Sequence, residues 1–466
     1  MTSDRPQPTA ASQGPIPPAT EAFVWIWLPG ALEPVIAGRI ELDGGIYVFN
    51  YGRSYLERAD AIPIYAPELP LQRGRIAPNA PLDMAGCLRD GAPDAWGRRV
   101  IINRLTGLRG EAANSIDFDE LTFMLNSGSD RIGALDFQTS ADRYQPREQD
   151  NATLEELLEA AERVERGEPI PPALDKALFH GSSIGGARPK ALIQYGEDKF
   201  IAKFSATNDT MAVVKAEFVA MRLAAEVGLD VAPVQLTKAS GKDVLLVRRF
   251  DREWNGTGWT RRAMVSALTM FGLSEMQARY ASYVELAEMV RARFTDPQAT
   301  LRELFGRMVF NVLTGNTDDH ARNHAAFWDG ANLTLTPGYD ICPQPRNGRE
   351  ANQAMLVNGE DKRSLLESCR LSAPNFLLND RDARDLINGQ IETITRLWGN
   401  ICDAAGLSEV DRGYLWRRQF LNDYAFDGYA DGALGQVQSR LRAHVPAEVS
   451  LSDELIADRR QASERE

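Results

Sequence analysis

The stretch Gly315-Asn316-Thr317-Asp318-Asp319-His320-Ala321-Arg322-Asn323 constrains this chain more than any other. An apolar helical run over residues 304–313 leads directly into it, and Tyr339-Asp340-Ile341 follows. Asp318 can orient a hydroxyl group, while Asn323 and Asp340 offer oxygens suited to a divalent metal. A base, an Asn and a second Asp in this order meet the needs of phosphoryl transfer. A bland account of the same residues exists, because Asn and Asp favour turns wherever they occur. The surrounding frame argues against it. Ala325-Ala326-Phe327-Trp328 and Leu333-Thr334-Leu335 read as a hairpin through Asp329-Gly330, which returns the chain to Asp340.

Upstream, residues 178–250 read as a nucleotide-binding lobe. Strands at 191–195 and 199–204 flank Gly196-Glu197-Asp198 as a hairpin. A helix over 212–227 carries Val214, Phe218, Met221 and Ala225 on one face, and Gly228 ends it. Lys203 alternates with apolar neighbours in Phe200-Ile201-Ala202-Lys203-Phe204. If that strand is buried, the ammonium needs a partner, either a phosphate or Glu217 on the next helix. If the strand is an edge, Lys203 faces water. The segment Ser182-Ser183-Ile184-Gly185-Gly186-Ala187-Arg188-Pro189-Lys190 is small enough for its N–H groups to approach phosphate oxygens. It matches neither common phosphate-loop spacing, and a plain turn accounts for it equally well. His320 and His324, four apart, raise zinc. Neither an H-E-x-x-H pattern nor a third His or Cys stands nearby to support it. His320 is instead expected to hydrogen-bond within the Asp318 loop, and Asp319 to be a solvated acid.

The 466 residues leave room for about three domains. Residues 1–20, rich in Pro, Ala, Ser and Thr, read as a disordered leader, and 450–466 as a flexible tail. Residues 21–140 form a first unit, with strand patterns at 23–28, 40–42 and 46–49, helices near 94–105 and 118–125, and a strand at 133–137. The lobe at 141–260 opens with an amphipathic helix at 153–166, where Thr153 and Glu156 make a capping box. From 261 to 449 helical patterns dominate, at 284–294, 299–314 and 382–405. The net charge of −13 argues against direct nucleic-acid binding by the chain itself. Four well-separated cysteines without a C-x-x-C pair point to reduced, buried thiols in a cytoplasmic protein. No 18-residue apolar run or signal pattern calls for a membrane.

Together these pieces resemble the HipA-type serine/threonine kinases, toxins of type II toxin–antitoxin systems. The resemblance rests on Leu69-Pro70-Leu71-Gln72-Arg73-Gly74, Asp90-Gly91-Ala92-Pro93-Asp94-Ala95-Trp96-Gly97 and Ser127-Gly128-Ser129-Asp130-Arg131-Ile132-Gly133-Ala134-Leu135 in the first unit. Farther on it rests on Gly185–Lys190, Arg248-Arg249-Phe250-Asp251-Arg252, the Asn316–Asn323 loop and Leu335-Thr336-Pro337-Gly338-Tyr339-Asp340. It implies an α+β, protein-kinase-like bilobed fold, with antiparallel sheets in a mixed α/β N-terminal region and an all-helical C-terminal lobe. It also implies ATP and Mg²⁺ as cofactors.

By the same resemblance Asp318 is the base, Asn323 and Asp340 hold Mg²⁺, and Lys203, supported by Glu217, meets the ATP phosphates. Ser183, Ile184, Gly185, Gly186 and Ala187 would form the Gly-rich loop over ATP, and His320 would line the same site. The backbone at Arg248–Phe250 would be the hinge that reads adenine. Ser183 or Ser182 would be autophosphorylated. Implied partners are a dimeric helix-turn-helix antitoxin of HipB type, operator DNA mainly through that antitoxin, and an aminoacyl-tRNA synthetase, glutamyl type, as substrate. Two rivals remain at this level: a pseudokinase co-repressor, and a small-molecule kinase of phosphoinositide or aminoglycoside type.

Overall fold

The computed structural model describes residues 18–429 apart from 109–112, 114–115, 148–151, 169–170, 172–173, 175–182, 184–185, 187, 207–208, 210 and 347. The expected tail, most of the expected leader, and Ser182, Ile184, Gly185 and Ala187 therefore lie outside the described residues.

Strands β1 (Glu21–Ile26), β2 (Val35–Asp43), β3 (Ile46–Tyr51), β4 (Arg75–Ile76) and β5 (Leu135–Gln138) form an antiparallel sheet in the order β4-β3-β2-β1-β5. Asp43 pairs with Ile46 across Gly44-Gly45, both at positive φ, 59° and 90°. Such a two-residue turn demands glycine-like freedom at both positions, which is why Asp-Gly-Gly closes this hairpin. Helices α1 (Ala95–Thr106) and α2 (Glu120–Leu125) precede β5. Helix α3 (Leu154–Arg166) has the expected capping box at Thr153 and Glu156 and ends at Gly167.

A second antiparallel sheet, in the order β6-β7-β9-β8, is built from β6 (Lys190–Tyr195), β7 (Asp198–Phe204), β8 (Val234–Ala239) and β9 (Lys242–Arg248). Strict alternation on β7 sorts its side chains. Phe200, Ala202 and Phe204 pack beneath α3 and Trp96, so α1 helps cover this face. Ile201 and Lys203 take the opposite face, where α4 (Val213–Glu226) lies. On α4 the residues Val214, Phe218 and Met221 are buried as expected, whereas Ala225 is exposed. The buried α4 residues share their cluster with Leu245 and Val247 of β9.

The C-terminal part is mainly helical: α5 (Tyr283–Arg293), α6 (Pro297–Thr314), α7 (Leu366–Ser372) and α8 (Asp380–Ala404). It is not all-helical, which corrects the expectation. Met264–Ser266 pairs with Ala325–Trp328, which pairs in turn with Leu333–Leu335, in a three-stranded antiparallel sheet. A polar loop that must double back beside its own helix needs an anchored return, and this sheet anchors it. Helix α6 is the core of the part, with Leu304, Phe305, Met308, Val309, Phe310 and Leu313 essentially inaccessible. Each such side chain contributes about 1.5–3 kcal/mol of burial energy, enough to hold the loop that α6 carries. The four cysteines are free and buried. Among the described residues no helix is long and apolar enough to cross a membrane.

Candidate active site

Pairing of β6 with β7 sets Lys190 opposite Lys203, so two ammonium-bearing side chains share one end of a cleft. Lys203 Nζ lies 2.5 Å from Glu217 Oε1 on α4 and also donates to Asp340 Oδ1. The choice between a solvated and a paired Lys203 is thereby decided: it is mostly shielded from solvent and doubly paired. Burial alone would depress its pKa, but Asp340 and Glu217 outweigh that and raise it above the ordinary ammonium range. Glu217 moves up because burial dominates even against Lys203. Asp340 moves well below the usual carboxylate range, chiefly through Lys203. Lys190, also buried, is held below its usual range by desolvation first and by Lys203 next. Asp340 itself sits at φ 60°, a left-handed conformation that Asp tolerates better than most residues.

The polar loop leaves α6 through Gly315, at φ 65°, where a β-carbon would come within 2.8 Å of the Gln419 carbonyl oxygen. Asn316 donates to Asn311 at 3.0 Å, and Asn311 donates to the Tyr283 hydroxyl. Tyr283 in turn donates to Asp319, whose other oxygen lies 3.0 Å from His324 Nε2. Asp319 is thus buried and pinned rather than solvated, a second correction. The imidazole that braces the loop is that of His324, and the side chain of His320 faces the cleft without a hydrogen bond in the loop. Asn323 also faces the cleft and donates to the Asp318 carbonyl at 3.2 Å. Asp318 is exposed. The loop still desolvates it enough to raise its pKa, with His320 opposing and the neighbouring carboxylates Asp340 and Asp319 adding to the rise.

At the other wall Gly186 has φ 102°, and any side chain there would run into the Lys190 ammonium. Its N–H donates to Asp94 Oδ2 at 2.6 Å. The Ser183 hydroxyl is buried and donates to the Asp130 carbonyl at 3.3 Å. After β9 the Arg248 side chain turns outward to Asp198 at 2.6 Å. The ring of Phe250 faces the cleft against Tyr339, centroids 5.6 Å apart. Arg249 is fully buried, paired with Asp130 at 3.0 Å and with Asp251 at 2.8 Å.

The cleft holds about 240 Å³ and brings Ser183, Gly186, Lys203, Arg248, Phe250, His320, Asn323 and Asp340 to one space, with Glu217 behind Lys203; Asp318 is not among its lining residues. Lys190, Asp90, Asp94, Arg322 and Tyr339 also line it, although no motif chemistry singled them out. Asp94 stood inside a quoted motif, but nothing in its spacing ties it to residues 186 or 322. Among the described residues no cluster of three or more His, Cys, Asp or Glu side chains could hold a metal by itself. One end of the cleft is cationic and its wall is apolar, with Ile201, Val247, Ala263 and Met264. That polarity suits a flat, weakly polar ring joined to a polyphosphate. Asn323 and Asp340 offer oxygens for a hard cation completed by phosphate and water.

Comparison with known proteins agrees with this geometry. Residues 182–398 match the HipA-like C-terminal domain and residues 30–138 the HipA N-terminal domain. Over 146 residues the chain is 31% identical to "Putative kinase Y4mE" of Sinorhizobium fredii, covering 30% of this chain and 33% of that protein. Over 184 residues it is 27% identical to the serine/threonine-protein kinase toxin HipA of Shewanella oneidensis, covering 34% and 42%. The matched stretches thus span less than half the length of either relative. The fold also resembles a solved complex of Shewanella oneidensis HipA with HipB and operator DNA. The TM-score is 0.58 at 18% identity, over 87% of this chain and 97% of that one. With both HipA domains matched in order on a kinase-like α+β fold, the chain belongs to the HipA family.

Proposed function

We propose that the chain is an ATP- and Mg²⁺-dependent protein serine/threonine kinase, the toxin of a toxin–antitoxin module. The observation that carries this reading is Lys203, bonded at once to Glu217 and Asp340 in a cleft shared with Asn323 of the Asp318 loop. The residues fit the groups they would hold: the Lys190 ammonium lies against the bare Gly186 backbone, and Lys190 and Lys203 line the same cleft, a cationic end suited to phosphate. When bound, ATP supplies the phosphoryl group, and Mg²⁺ neutralises the charge on it. Lys190 and Lys203 bind the polyphosphate, while Asn323 and Asp340 hold the metal. The backbone over Arg248–Phe250 accepts the adenine, and His320 closes the same pocket. Asp318 orients a substrate hydroxyl and takes its proton at the carboxylate. Catalysis then rests on positioning and on fixed charge.

Ser183 is buried here, so its phosphorylation requires the Gly-rich loop to leave the cleft. A phosphoserine would add a charge of about −2 to a loop meant to receive phosphate and would repel ATP, which would leave the kinase off. Ser182 is the alternative position. We further propose a HipB-like helix-turn-helix antitoxin, with operator DNA reached mainly through it, in keeping with the −13 charge of this chain. The substrate would be an aminoacyl-tRNA synthetase in the cytoplasm, the glutamyl enzyme first. The complete Lys203, Asp318, Asn323 and Asp340 set favours an active enzyme over a co-repressor that has lost catalysis.

The test incubates purified protein with labelled ATP and Mg²⁺, maps phosphosites by mass spectrometry, and includes Asp318→Asn. Wild type is expected to label itself at Ser183 or Ser182 and to label the synthetase. Asp318→Asn should lose at least about a hundredfold in transfer while still binding ATP. Retention of more than a tenth of the activity would remove Asp318 from the base role. Binding of ATP without transfer to any protein acceptor would move the reading to co-repression or to a small-molecule substrate.

A further inference from the structure

Helix α1 begins in an unusual way. Its N-cap is Asp94, yet the carboxylate makes no capping bond to the helix. A free aspartate at an N-cap normally accepts from the first-turn N–H groups, so its diversion must be compensated elsewhere. One oxygen, Oδ2, accepts from the Gly186 N–H at 2.6 Å. The other, Oδ1, accepts from Arg322 Nη1 at 2.8 Å. Gly186 is held a second time by the same helix start, since its carbonyl accepts from the Trp96 N–H at 3.2 Å. The Trp96 indole then donates to the Lys190 carbonyl, also at 3.2 Å.

Arg322 is equally tied in. It precedes Asn323, its other nitrogen pairs with Glu275, and its carbonyl accepts from the Tyr339 hydroxyl at 2.7 Å. One carboxylate of the first unit therefore joins the loop that would meet phosphate to the loop that would carry the base and one metal ligand. Charge-assisted bonds of this kind are short and directional, so they fix separation as well as attraction.

We infer that Asp94 is a positioning residue for phosphoryl transfer: it sets the spacing between the Gly-rich loop and the Asp318–Asn323 loop. This rests on the kinase reading above. Its two oxygens would do separable jobs, because an amide can still accept from Gly186 but cannot pair with a guanidinium. Asp94→Asn should keep the KM for ATP within about twofold and lower kcat roughly tenfold. Asp94→Ala should raise that KM roughly tenfold as well as lowering kcat.

Steady-state kinetics and the affinity of a non-hydrolysable ATP analogue should be measured for both variants, alongside amide hydrogen exchange of the peptide spanning Ser183–Lys190. Exchange there should quicken at least tenfold in Asp94→Ala and stay near wild type in Asp94→Asn. The exchange readout needs neither ATP nor turnover, so an inactive wild type would sink the kinase reading without deciding this one. A purely structural Asp94 would lower the folded fraction and kcat together at unchanged KM, and that result overturns the inference. Unchanged exchange and kinetics in both variants overturn it too. Should Asp94→Ala fail to fold, Asp94→Asn carries the test: a roughly tenfold loss of kcat at an undiminished folded fraction supports the inference, and a loss no larger than the drop in folded fraction overturns it, with Asp94→Glu as the conservative control.

Discussion

Asp318 and Asp340 carry the same functional group and feel one another's charge, and their surroundings push them in opposite directions. Desolvation moves Asp318 up, whereas Lys203 holds Asp340 far down. A carboxylate with raised basicity suits proton uptake, and one that stays charged suits a cation. Lys203 is the pivot, since without it the buried Glu217 would be left unpaired beside the like charge of the partly exposed Asp340. Lys203→Met should therefore cost about 3–5 kcal/mol in chemical denaturation, and the Lys203→Met/Glu217→Gln pair should recover part of that. The ion-pair network of Arg249, Asp251 and Arg252 sets an acid limit of its own. Burial acts to raise Asp251, but Arg249 and Arg252 overrule it and bring its pKa down to about 2. A depressed carboxylate stabilises above its unfolded pKa and loses that contribution as pH falls toward the folded value. Denaturation midpoints should thus fall between about pH 4 and pH 2, by an amount on the order of 2 kcal/mol for this group. Asp251→Asn should flatten that limb while lowering stability at neutral pH.

At the scale of elements, the end of α6 decides where the candidate base stands. Gly315 takes a left-handed conformation with the Gln419 backbone packed where a β-carbon would go. Gly315→Ala should cost at least about 1–2 kcal/mol for the backbone alone. A lowered Tm accompanied by a disproportionate loss of phosphoryl transfer would show that the loop has shifted. Elements whose signals are local could be read from the chain. The capping box of α3, the Gly44-Gly45 and Gly196 turns, and the Gly315 stop are all written within a few neighbouring residues. The Lys203–Glu217 pair is only half readable: alternation on the strand puts Lys203 on one face, but phosphate, Glu217 and solvent stay open as its surroundings until the fold closes. What escaped depends on distant partners. Met264–Ser266 is three residues long, too short to alternate, and becomes a strand only by pairing with residues 325–327. Asp319 looked like a surface acid because its partner Tyr283 lies 36 residues away. Asp94 meets Gly186 and Arg322 across 92 and 228 residues, distances over which no periodicity speaks.

Over the whole molecule, the first unit is a third wall of the cleft rather than an appendage. It reaches Gly186 through Asp94, Arg249 through Asp130, and the three-stranded sheet through the Pro63 carbonyl, which accepts from the Trp328 indole at 2.8 Å. One apolar cluster accordingly runs from Tyr65 and Leu69 to Phe305 and Phe310. Opening the cleft must disturb all three attachments, so opening should be rare and concerted. The four buried thiols turn this into something that can be timed. Cys87 lines the cleft and Cys342 follows Asp340 closely, whereas Cys369 and Cys402 belong to the helical core. Burial holds all four thiols above their ordinary pKa, so each reacts only when its own surroundings part. Under a thiol-modifying dye, ATP should slow the labelling of Cys87 and Cys342 severalfold and leave Cys369 and Cys402 unchanged. The native chain thus carries two clocks for its cleft and two for its core, with no engineered label needed.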